Sequence, residues 1–222
     1  DVARRVDGTA NRLFIEPIMT GQYPADVLRD LAEYWPADLV HDGDLAAINA
    51  PIDVLGVNYY TTNVFRAGEV AAGPTPHVSA PDAVQVLRDL PLTEMGWEVT
   101  PEGLRELLNR LHREYTGPAG VPLVITENGV AFDDQPDADG FVDDTADRVD
   151  YLRRHLKAVH DAIGDGVPVQ GYLAWSLMDN FEWAKGYDKR FGIIAVDENL
   201  RRIPKASAGW YGRVARTHQL SD

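Results

Sequence analysis

The sequence predicts an α/β protein whose sheet is mainly parallel. Three near-continuous apolar runs have the length of strands, and such runs suit strands that are covered on both faces. Amphipathic helix patterns lie between them, and strands that alternate with long helices form β-α units. The predicted strands are residues 52–58 (IDVLGVN), 121–126 (VPLVIT) and 167–175 (VPVQGYLAW).

The clearest helix is predicted between the second and third strands. Its apolar residues recur at spacings of three and four, so they share one face of the helix. Gly164 follows them and is expected to end the helix. The residues of this inward face are Val149, Leu152, Leu156, Val159 and Ile163.

A second helix is predicted over residues 101–115, between the first and second strands. Thr100 is its candidate N-cap, and Pro101 suits the first helical position. Further helices are predicted over residues 25–34 and 205–216. The inward residues of the 101–115 helix are Leu104, Leu107, Leu108 and Leu111.

Two segments lack this periodicity. Residues 59–100 are irregular and rich in Pro, Gly and Ala, and so long a connection is usually functional or mobile. Residues 133–140 (DDQPDADG) are expected to form a solvated acidic loop. Because the chain shows no internal repeat and no linker, we expect residues 1–222 to form a single domain or part of one.

Composition disfavours several classes of protein. With 35 acidic and 21 basic residues and a net charge of −14, the chain is a poor partner for nucleic acid or an anionic membrane. It has no cysteine, which excludes disulfides and thiolate metal sites. No apolar run approaches the roughly 20 residues of a membrane helix. The first residues, DVARRVDG, carry no signal-peptide pattern and no initiator Met, so we expect a cytoplasmic protein whose true beginning lies elsewhere.

Polar and aromatic side chains follow all three predicted strands. Ligands of parallel α/β proteins gather at the carboxyl ends of the strands. The first strand ends in NYY (residues 58–60), the second in TENG (residues 126–129) and the third in WSLMDNFEW (residues 175–183). Three such strand ends together indicate a binding or catalytic site.

Glu127 is the candidate catalytic group. A carboxylate at the end of a buried strand can act as a nucleophile, a general base or a metal ligand, or it can cap the next helix or pair with an arginine. The six histidines form no close cluster with carboxylates near a strand end, which disfavours a metal site. A carboxylate among tyrosine hydroxyls and tryptophan rings suits a sugar better.

The third strand end supplies groups of the kind that bind sugars. Aromatic faces stack on a pyranose, while carboxylates and amides hydrogen-bond its hydroxyls. The alternative is an amphipathic turn whose tryptophans belong to the core, but two tryptophans and two acids favour binding. Trp97, within TEMGW in the long loop, is expected to line the mouth of the pocket. The binding candidates are Trp175, Asp179, Asn180, Glu182 and Trp183.

These motifs, in this order, resemble family 1 of the glycoside hydrolases, the β-glucosidase family. The resemblance extends over nearly the whole chain. The long tryptophan-rich motif carries most of it, and TENG alone would be only suggestive. The matching segments are RVDG, GQYP, NYYT, EMGW, VITENG, DYLRRHL, WSLMDNFEWAKGYDKRFGI and RIPKASAGWY.

The resemblance implies a (β/α)8 barrel and a retaining mechanism with two carboxylates roughly 5–5.5 Å apart. It implies a β-glucoside or cello-oligosaccharide as substrate, and neither a metal nor another cofactor. Carried over by motif, Glu127 is the nucleophile, Tyr60 orients it by a hydrogen bond, and Asn58 completes the polar floor of the site.

The same resemblance assigns substrate contacts. Glu182 would accept hydrogen bonds from hydroxyls of the non-reducing sugar, and the indole of Trp183 would donate one. Trp175 would stack under that sugar, and Phe191 would close the pocket. Trp97 would face the leaving group or second sugar.

The chain departs from the family in one respect that matters for catalysis. The family's acid/base glutamate lies in a T-x-N-E-P motif, and no such motif occurs in this sequence. The nearest string, FIEP at residues 14–17, lacks the Thr and Asn and is not expected at a strand end. We therefore expect the carboxyl-terminal part of the barrel, strands six to eight, which cannot close alone. Its expected partner is the amino-terminal part of the same enzyme.

Three interpretations of the chain remain. It is the nucleophile-bearing part of a hydrolase, a sugar-binding module without turnover, or a structural fragment. The intact TENG and NYY segments favour the hydrolase, because a pure binder needs no tyrosine-oriented nucleophile. The missing acid favours the other two for the chain on its own.

Overall fold

The computed structural model of the protein describes residues 1–70, 75 and 77–220. They form two compact units, here called the helical unit and the sheet unit. The helical unit is Asp1–Asp53, Asn63–Arg88 and Arg113–Val121. The sheet unit is Val54–Thr62, Asp89–His112 and Pro122–Asp222. Within the described residues, no helix is both long enough and apolar enough to span a membrane.

Strands and helices alternate along the second half of the chain. The strands are β1 (Leu55–Asn58), β2 (Val64–Ala67), β3 (Ala83–Val86), β4 (Leu123–Asn128), β5 (Val169–Ala174), β6 (Ile194–Val196) and β7 (Arg202–Pro204). The α-helices are α1 (Val2–Asp7), α2 (Leu13–Thr20), α3 (Ala25–Asp30), α4 (Asp44–Ile48), α5 (Pro101–Leu111), α6 (Gly117–Ala119), α7 (Asp150–Gly164) and α8 (Ala206–Thr217). Turns of π-helix occupy Gly8–Arg12, His112–Thr116 and Thr145–Val149, and a 3₁₀ turn occupies Trp183–Lys185.

A three-stranded parallel sheet forms the centre of the sheet unit, in the order β1-β4-β5. This confirms the predicted parallel sheet. Leu123 and Ile125 of the central strand are fully buried, as expected for a strand covered by helices. Leu55 pairs with Leu123, and Ile125 pairs with Tyr172, so the three strands run side by side to the same edge.

The strand boundaries differ from those predicted by one to three residues. Pro122 and Pro168 have no amide N–H, and their carbonyls accept the first ladder bonds, from the N–H groups of Leu55 and Leu123. The second and third apolar runs therefore form strands only after their prolines. At the other end β4 continues through Asn128 instead of stopping at residue 126, because the Glu127 carbonyl still accepts a bond from the Tyr59 N–H at 2.9 Å.

Helix α7 confirms the predicted helix between β4 and β5. Leu152 and Val159 are buried on its inner face, but Ile163 is 48% exposed, so the prediction that it points inward is wrong. The helix ends at Gly164, as predicted, but Gly164 does not have the left-handed conformation of a terminating glycine. The left-handed residue is Gly166, at φ 99°, because the N–H groups after the helix turn back onto its last carbonyls.

The other predicted helices are present with different ends. Helix α5 begins at Pro101 but ends at Leu111, after which the chain continues as a π turn. The Thr100 side chain does not cap it, because its hydroxyl accepts a bond from the Thr62 N–H at 3.0 Å and pairs with the Tyr59 hydroxyl at 2.8 Å. Helix α3 ends at Asp30 instead of residue 34, and α8 runs one residue beyond the predicted 205–216.

The helical unit packs around Val2, Val6 and Ala80, against which Phe65 is also packed. Strands β2 and β3 form an antiparallel pair within the segment predicted to be irregular, which corrects that prediction for these residues. Residues 71–74 and 76 of the same segment lie outside the described residues. Residues 14–17 belong to α2, so FIEP does not follow a strand.

His155 on α7 links the pH of the solution to the stability of the sheet unit. Its ring stacks on Tyr151 at 3.9 Å, and its Nδ1–H donates to the Tyr151 carbonyl at 2.8 Å. Its Nε2 is buried and has no hydrogen-bond partner among the described residues. The pKa of His155 is lowered from 6.5 to about 4, mainly by burial, with a smaller contribution from the positive charge of Arg154, and the hydrogen bond to the Tyr151 carbonyl opposes part of this shift.

We predict that the free energy of unfolding falls as the pH drops from 6.5 towards 4. In this range the unfolded chain protonates His155 and the folded protein does not, so the unfolded state binds more protons. The contribution of this group is at most about 1.4 kcal/mol per pH unit. Urea titrations of the wild-type protein and of His155→Phe should show a shallower pH dependence in the variant. Equal slopes would contradict the prediction.

Candidate active site

The hydroxyl of Tyr60 donates a hydrogen bond to Glu127 Oε2 at 2.7 Å. Glu127 lies near the end of β4, and Tyr60 follows the end of β1, the neighbouring parallel strand. Burial raises the pKa of Tyr60, and the Glu127 carboxylate raises it further. The phenol therefore stays protonated and acts as the donor in the hydrogen bond to the Glu127 carboxylate.

Asn58 lies beside Glu127 in the sheet, where the two residues are paired in register. Its side chain is turned to a different partner, because the hydroxyl of Thr126 donates to Asn58 Oδ1 at 2.7 Å. Asn58 is exposed, so its amide N–H groups can reach solvent or a ligand. The structure thus places Asn58 beside Glu127 at the end of β1, and its predicted role in the floor of the site stays a prediction.

The ring of Tyr60, whose hydroxyl bonds Glu127, packs against two other aromatic rings. The centroid of Tyr60 lies 5.4 Å from that of Trp97 and 6.0 Å from that of Phe191. Trp97 and Phe191 are themselves 6.3 Å apart. Phe191 is buried and Trp97 is half-buried. Together with the Tyr60 ring they form an apolar surface, here called the aromatic wall, next to the hydroxyl that bonds Glu127. The structure brings together these predicted residues from distant parts of the sequence.

The third strand end is joined to the second by its backbone. The N–H of Trp175 donates to the Asn128 carbonyl at 2.9 Å, and the peptide bond between Trp175 and Ser176 is cis. A Cβ at position 129 would lie 1.6 Å from the Trp175 carbonyl oxygen, so only glycine fits there. The glycine of TENG is therefore required by the close approach of these two strand ends.

Glu182 is close enough to Glu127 for their charges to interact. Burial raises the pKa of Glu182, and the negative charge of Glu127 raises it further. Trp183, the next residue, is 82% exposed and begins the 3₁₀ turn. The interpretation of Trp183 as a core residue is therefore wrong, and its indole is free to meet a ligand.

Asp179 holds the loop that carries Glu182, although sequence reasoning placed it among the sugar contacts. Its Oδ1 accepts bonds from the Lys205 ammonium and from the Gly192 N–H, both at 2.9 Å. The amide of Asn180 bonds Ser176 Oγ at 2.8 Å. Asp179 and Asn180, which were predicted to bind the sugar, thus have side chains that are hydrogen-bonded to other groups of the protein.

Lys205 belongs to a buried ion cluster that sequence reasoning missed. Its ammonium also bonds Asp134, which in turn accepts a bond from Arg148 at 3.0 Å. Arg148 pairs with Asp144, whose Oδ2 accepts a bond from the Ser207 hydroxyl at 2.7 Å. Asp134 is buried, so the prediction of a wholly solvated loop at residues 133–140 is wrong there. The spacing of four between Asp144 and Arg148 was the only signal in the sequence.

The described residues contain no group of three or more His, Asp or Glu side chains that could hold a metal ion. The polar groups of the site are a tyrosine-bound carboxylate, a second carboxylate, an amide and the indoles. This arrangement can hold a polar, ring-shaped molecule against a carboxylate.

Comparison with known proteins identifies the family. The sequence matches the family model described as Glycosyl hydrolase family 1 over residues 1–220. The chain belongs to this family. The predicted membership in a family of retaining glycosidases is therefore confirmed.

Relatives in this family are named as β-glucosidases. A bifunctional β-D-glucosidase/β-D-fucosidase from Bifidobacterium breve is 46% identical over 228 residues, covering 98% of this chain and 49% of that protein. Thermostable β-glucosidase B from Thermobispora bispora is 46% identical over 220 residues, covering 98% of this chain and 44% of that protein. The chain thus spans about half the length of the curated relatives it matches.

Solved family 1 structures share the fold of the chain. The psychrophilic β-glucosidase BglU from Micrococcus antarcticus superposes with a TM-score of 0.90 at 43% identity, covering 98% of this chain and 49% of that one. A Thermotoga maritima β-glucosidase in complex with castanospermine gives 0.86 at 41% identity, covering 100% of this chain and 47% of that one. The sheet β1-β4-β5 is accordingly part of a (β/α)8 barrel, which confirms the predicted fold class of strands six to eight.

We predict that Glu127→Gln lowers the pKa of Glu182. The substitution removes the negative charge that disfavours ionisation of Glu182, while the effect of burial remains. A ¹³C NMR titration of the Glu182 carboxyl group measures the shift directly. Glu94→Gln is the matched control, since Glu94 pairs with Lys189. An unchanged Glu182 titration in Glu127→Gln, or an equal shift in the control, would contradict the prediction.

We also predict that Lys205→Met destabilises the protein by about 3–5 kcal/mol, because it leaves the largely buried Asp179 without its cation and the buried Asp134 with Arg148 as its remaining cation. The control is Lys189→Met, which removes a partly exposed pair with Glu94 and should cost about 1 kcal/mol or less. Denaturant unfolding measures both values. Similar losses in the free energy of unfolding in the two variants would contradict the prediction that breaking the buried cluster is the more costly change.

Proposed function

We propose that the chain is the nucleophile-bearing half of a retaining β-glycosidase that hydrolyses terminal, non-reducing β-linked glucose by double displacement. The observation that carries the proposal is the hydrogen bond from Tyr60 to Glu127 at a strand end lined by Trp97 and Phe191. Family membership supports the reaction class, and the names of the relatives support glucose as the sugar.

Glu127 acts as the nucleophile in this proposal. Its carboxylate attacks the anomeric carbon, the glycosidic bond breaks, and a covalent glycosyl-enzyme forms that water then hydrolyses. The strand holds the carboxylate in place before the substrate arrives, and the Tyr60 hydroxyl orients it. A donor at 2.7 Å also limits which oxygen is free to attack, leaving Oε1 for the sugar.

The remaining predicted residues bind the substrate. Glu182 accepts hydrogen bonds from hydroxyls of the non-reducing sugar, and the exposed indole of Trp183 donates another. Trp175 stacks under the sugar, while Trp97 faces the leaving group or second sugar. The neighbouring carboxylates Glu127 and Glu182 repel each other, so a neutral, hydroxyl-rich ligand that donates to both suits the site.

Catalysis requires a general acid that then acts as a base, and this sequence holds no T-x-N-E-P segment to supply one. We therefore propose that residues 1–222 form a partial domain that works with an amino-terminal half of the barrel. The natural substrates would be β-glucosides or cello-oligosaccharides such as cellobiose, which would place the protein in cellobiose degradation. The cytoplasmic location expected from the sequence stays a prediction.

The missing acid also supports a second candidate function, a sugar-binding or structural module without turnover. Activity of the assembled enzyme, meaning these residues together with the amino-terminal half, separates the two. The module would bind cellobiose without cleaving it. The hydrolase would release glucose.

Azide rescue tests the role of Glu127. In Glu127→Gly of the assembled enzyme, azide can occupy the vacated space and attack the anomeric carbon of a dinitrophenyl β-glucoside from the α face. The C–N bond forms as the C–O bond to dinitrophenolate breaks, and we predict α-glucosyl azide as the product, with hydrolysis without azide reduced by about 10⁴-fold or more. NMR of the product assigns its configuration.

Glu182→Gly and Glu94→Gly are the controls for this experiment. Neither residue is proposed to attack the sugar, so neither variant should yield the α-azide. Formation of α-azide in Glu182→Gly and not in Glu127→Gly would move the nucleophile to Glu182. Undiminished hydrolysis by Glu127→Gly would overturn the proposed mechanism.

A further inference from the structure

The side chain of Asn128 is the central group of a buried hydrogen-bond network behind Glu127. Asn128 is the last residue of β4 and is fully buried. Its Nδ2 donates to the Tyr59 carbonyl at 2.7 Å and to the Tyr151 hydroxyl at 3.1 Å. Its Oδ1 accepts a bond from the Tyr172 hydroxyl at 2.6 Å. One amide thus joins β1, α7 and β5 to the strand that carries Glu127.

The orientation of this amide is fixed by its partners. The Tyr59 carbonyl can only accept a hydrogen bond, so the nitrogen of Asn128 must face it. Oδ1 must then face the Tyr172 hydroxyl, which acts as the donor. Burial raises the pKa of the Tyr151 and Tyr172 hydroxyls, so both remain protonated.

Tyr151 extends the network to the residue that holds Glu127. Its hydroxyl accepts from Asn128 and donates to the Tyr60 carbonyl at 3.3 Å. The backbone on both sides of the Tyr59–Tyr60 peptide is therefore tied to the end of β4, directly at Tyr59 and through Tyr151 at Tyr60. The Cα of Tyr60, which carries the ring, lies between these two fixed carbonyl groups.

Backbone pairing sets only part of the alignment here. The Tyr59 N–H bonds the Glu127 carbonyl and the Trp175 N–H bonds the Asn128 carbonyl, both at 2.9 Å, but each lies next to an irregularity in the sheet. The pairing of β1 with β4 shifts register between Val57 and Asn58, and that of β4 with β5 shifts between Ile125 and Asn128. Where the ladder is irregular, backbone bonds leave the relative position of two strand ends less constrained. Hydrogen bonds from the Asn128 side chain link β4 to the end of β1 and to β5, next to both of these irregular pairings.

We propose that Asn128, Tyr151 and Tyr172 are positioning residues that hold the Tyr60 hydroxyl and the Glu127 carboxylate in the arrangement required for attack. None of the three is proposed to touch the sugar. Their effect is on the geometry of the nucleophile, where displacements of about 1 Å are enough to slow a reaction by roughly 10²-fold. The kinetic part of this inference rests on the proposed function.

Tyr151→Phe and Tyr172→Phe test the inference with little change in packing, since each removes one hydroxyl and keeps the ring. Tyr211→Phe is the matched control. Its hydroxyl donates to a backbone carbonyl of β5, that of Tyr172, at 2.9 Å, and the bond does not involve Asn128. Tyr172→Phe and Tyr211→Phe each lose one hydrogen bond, so their losses in stability should be similar. Tyr151→Phe loses two, one from Asn128 and one to the Tyr60 carbonyl, so its loss in stability should be larger.

In the assembled enzyme with a dinitrophenyl β-glucoside, we expect Tyr151→Phe and Tyr172→Phe to lower kcat about tenfold or more while KM changes less than about twofold. Tyr211→Phe should keep kcat within about twofold of the wild-type value. A merely structural role would lower kcat in all three variants alike, or in none, and either result overturns the inference.

A second readout does not depend on turnover. The hydroxyl proton of Tyr60, held by Glu127, should give a downfield ¹H NMR signal that broadens in Tyr151→Phe and persists in Tyr211→Phe. If the assembled wild-type enzyme is inactive but this pattern holds, the proposed function fails and the positioning network stands. An unchanged Tyr60 signal in Tyr151→Phe overturns the network whatever the activity.

Discussion

The alignment of two parallel strand ends is the constraint on which the site depends. Tyr60 and Glu127 are 67 residues apart in the sequence, yet their side chains meet at 2.7 Å. They can do so only because β1 and β4 end at the same edge of the sheet and Asn128 ties the two ends together. The aromatic wall follows from the same placement, since Trp97 and Phe191 pack around the Tyr60 ring.

The buried ion cluster holds the loop that carries Glu182, much as Asn128 is proposed to hold the strand end that carries Glu127. Lys205 and Arg148 bring together three carboxylates from two loops, the one after β4 and the one after β5, and Asp179 lies only three residues before Glu182. Buried ion pairs contribute little net stability compared with apolar packing, but they are costly to leave half-made. The ion pairs here serve mainly to fix one conformation of the loop that contains Asp179 and Glu182. Trp183 of the same loop is exposed to solvent.

The sequence was informative where its signal was periodic or local. Leu152 and Val159 of α7 and the apolar run of β4 followed from spacing, whereas the role of Glu127 came from resemblance to a family and not from periodicity. Hydrogen bonds between residues far apart in the sequence could not be predicted from it. Lys205 bonds Asp134, 71 residues away, and Asp179, 26 residues away. Ile163 fitted the helical period and is nevertheless exposed, because periodicity identifies a face but not what covers it.

The central claim is that Glu127 is a nucleophile assembled at the end of β4. The most direct measurement is to incubate the assembled enzyme with dinitrophenyl 2-deoxy-2-fluoro-β-glucoside and map the labelled peptide by mass spectrometry. The good leaving group needs little help from an acid, so the reaction reports on the nucleophile alone. The account predicts one fluoroglucosyl group on Glu127. A label on another carboxylate, or none on an enzyme that hydrolyses the parent glucoside, would contradict it.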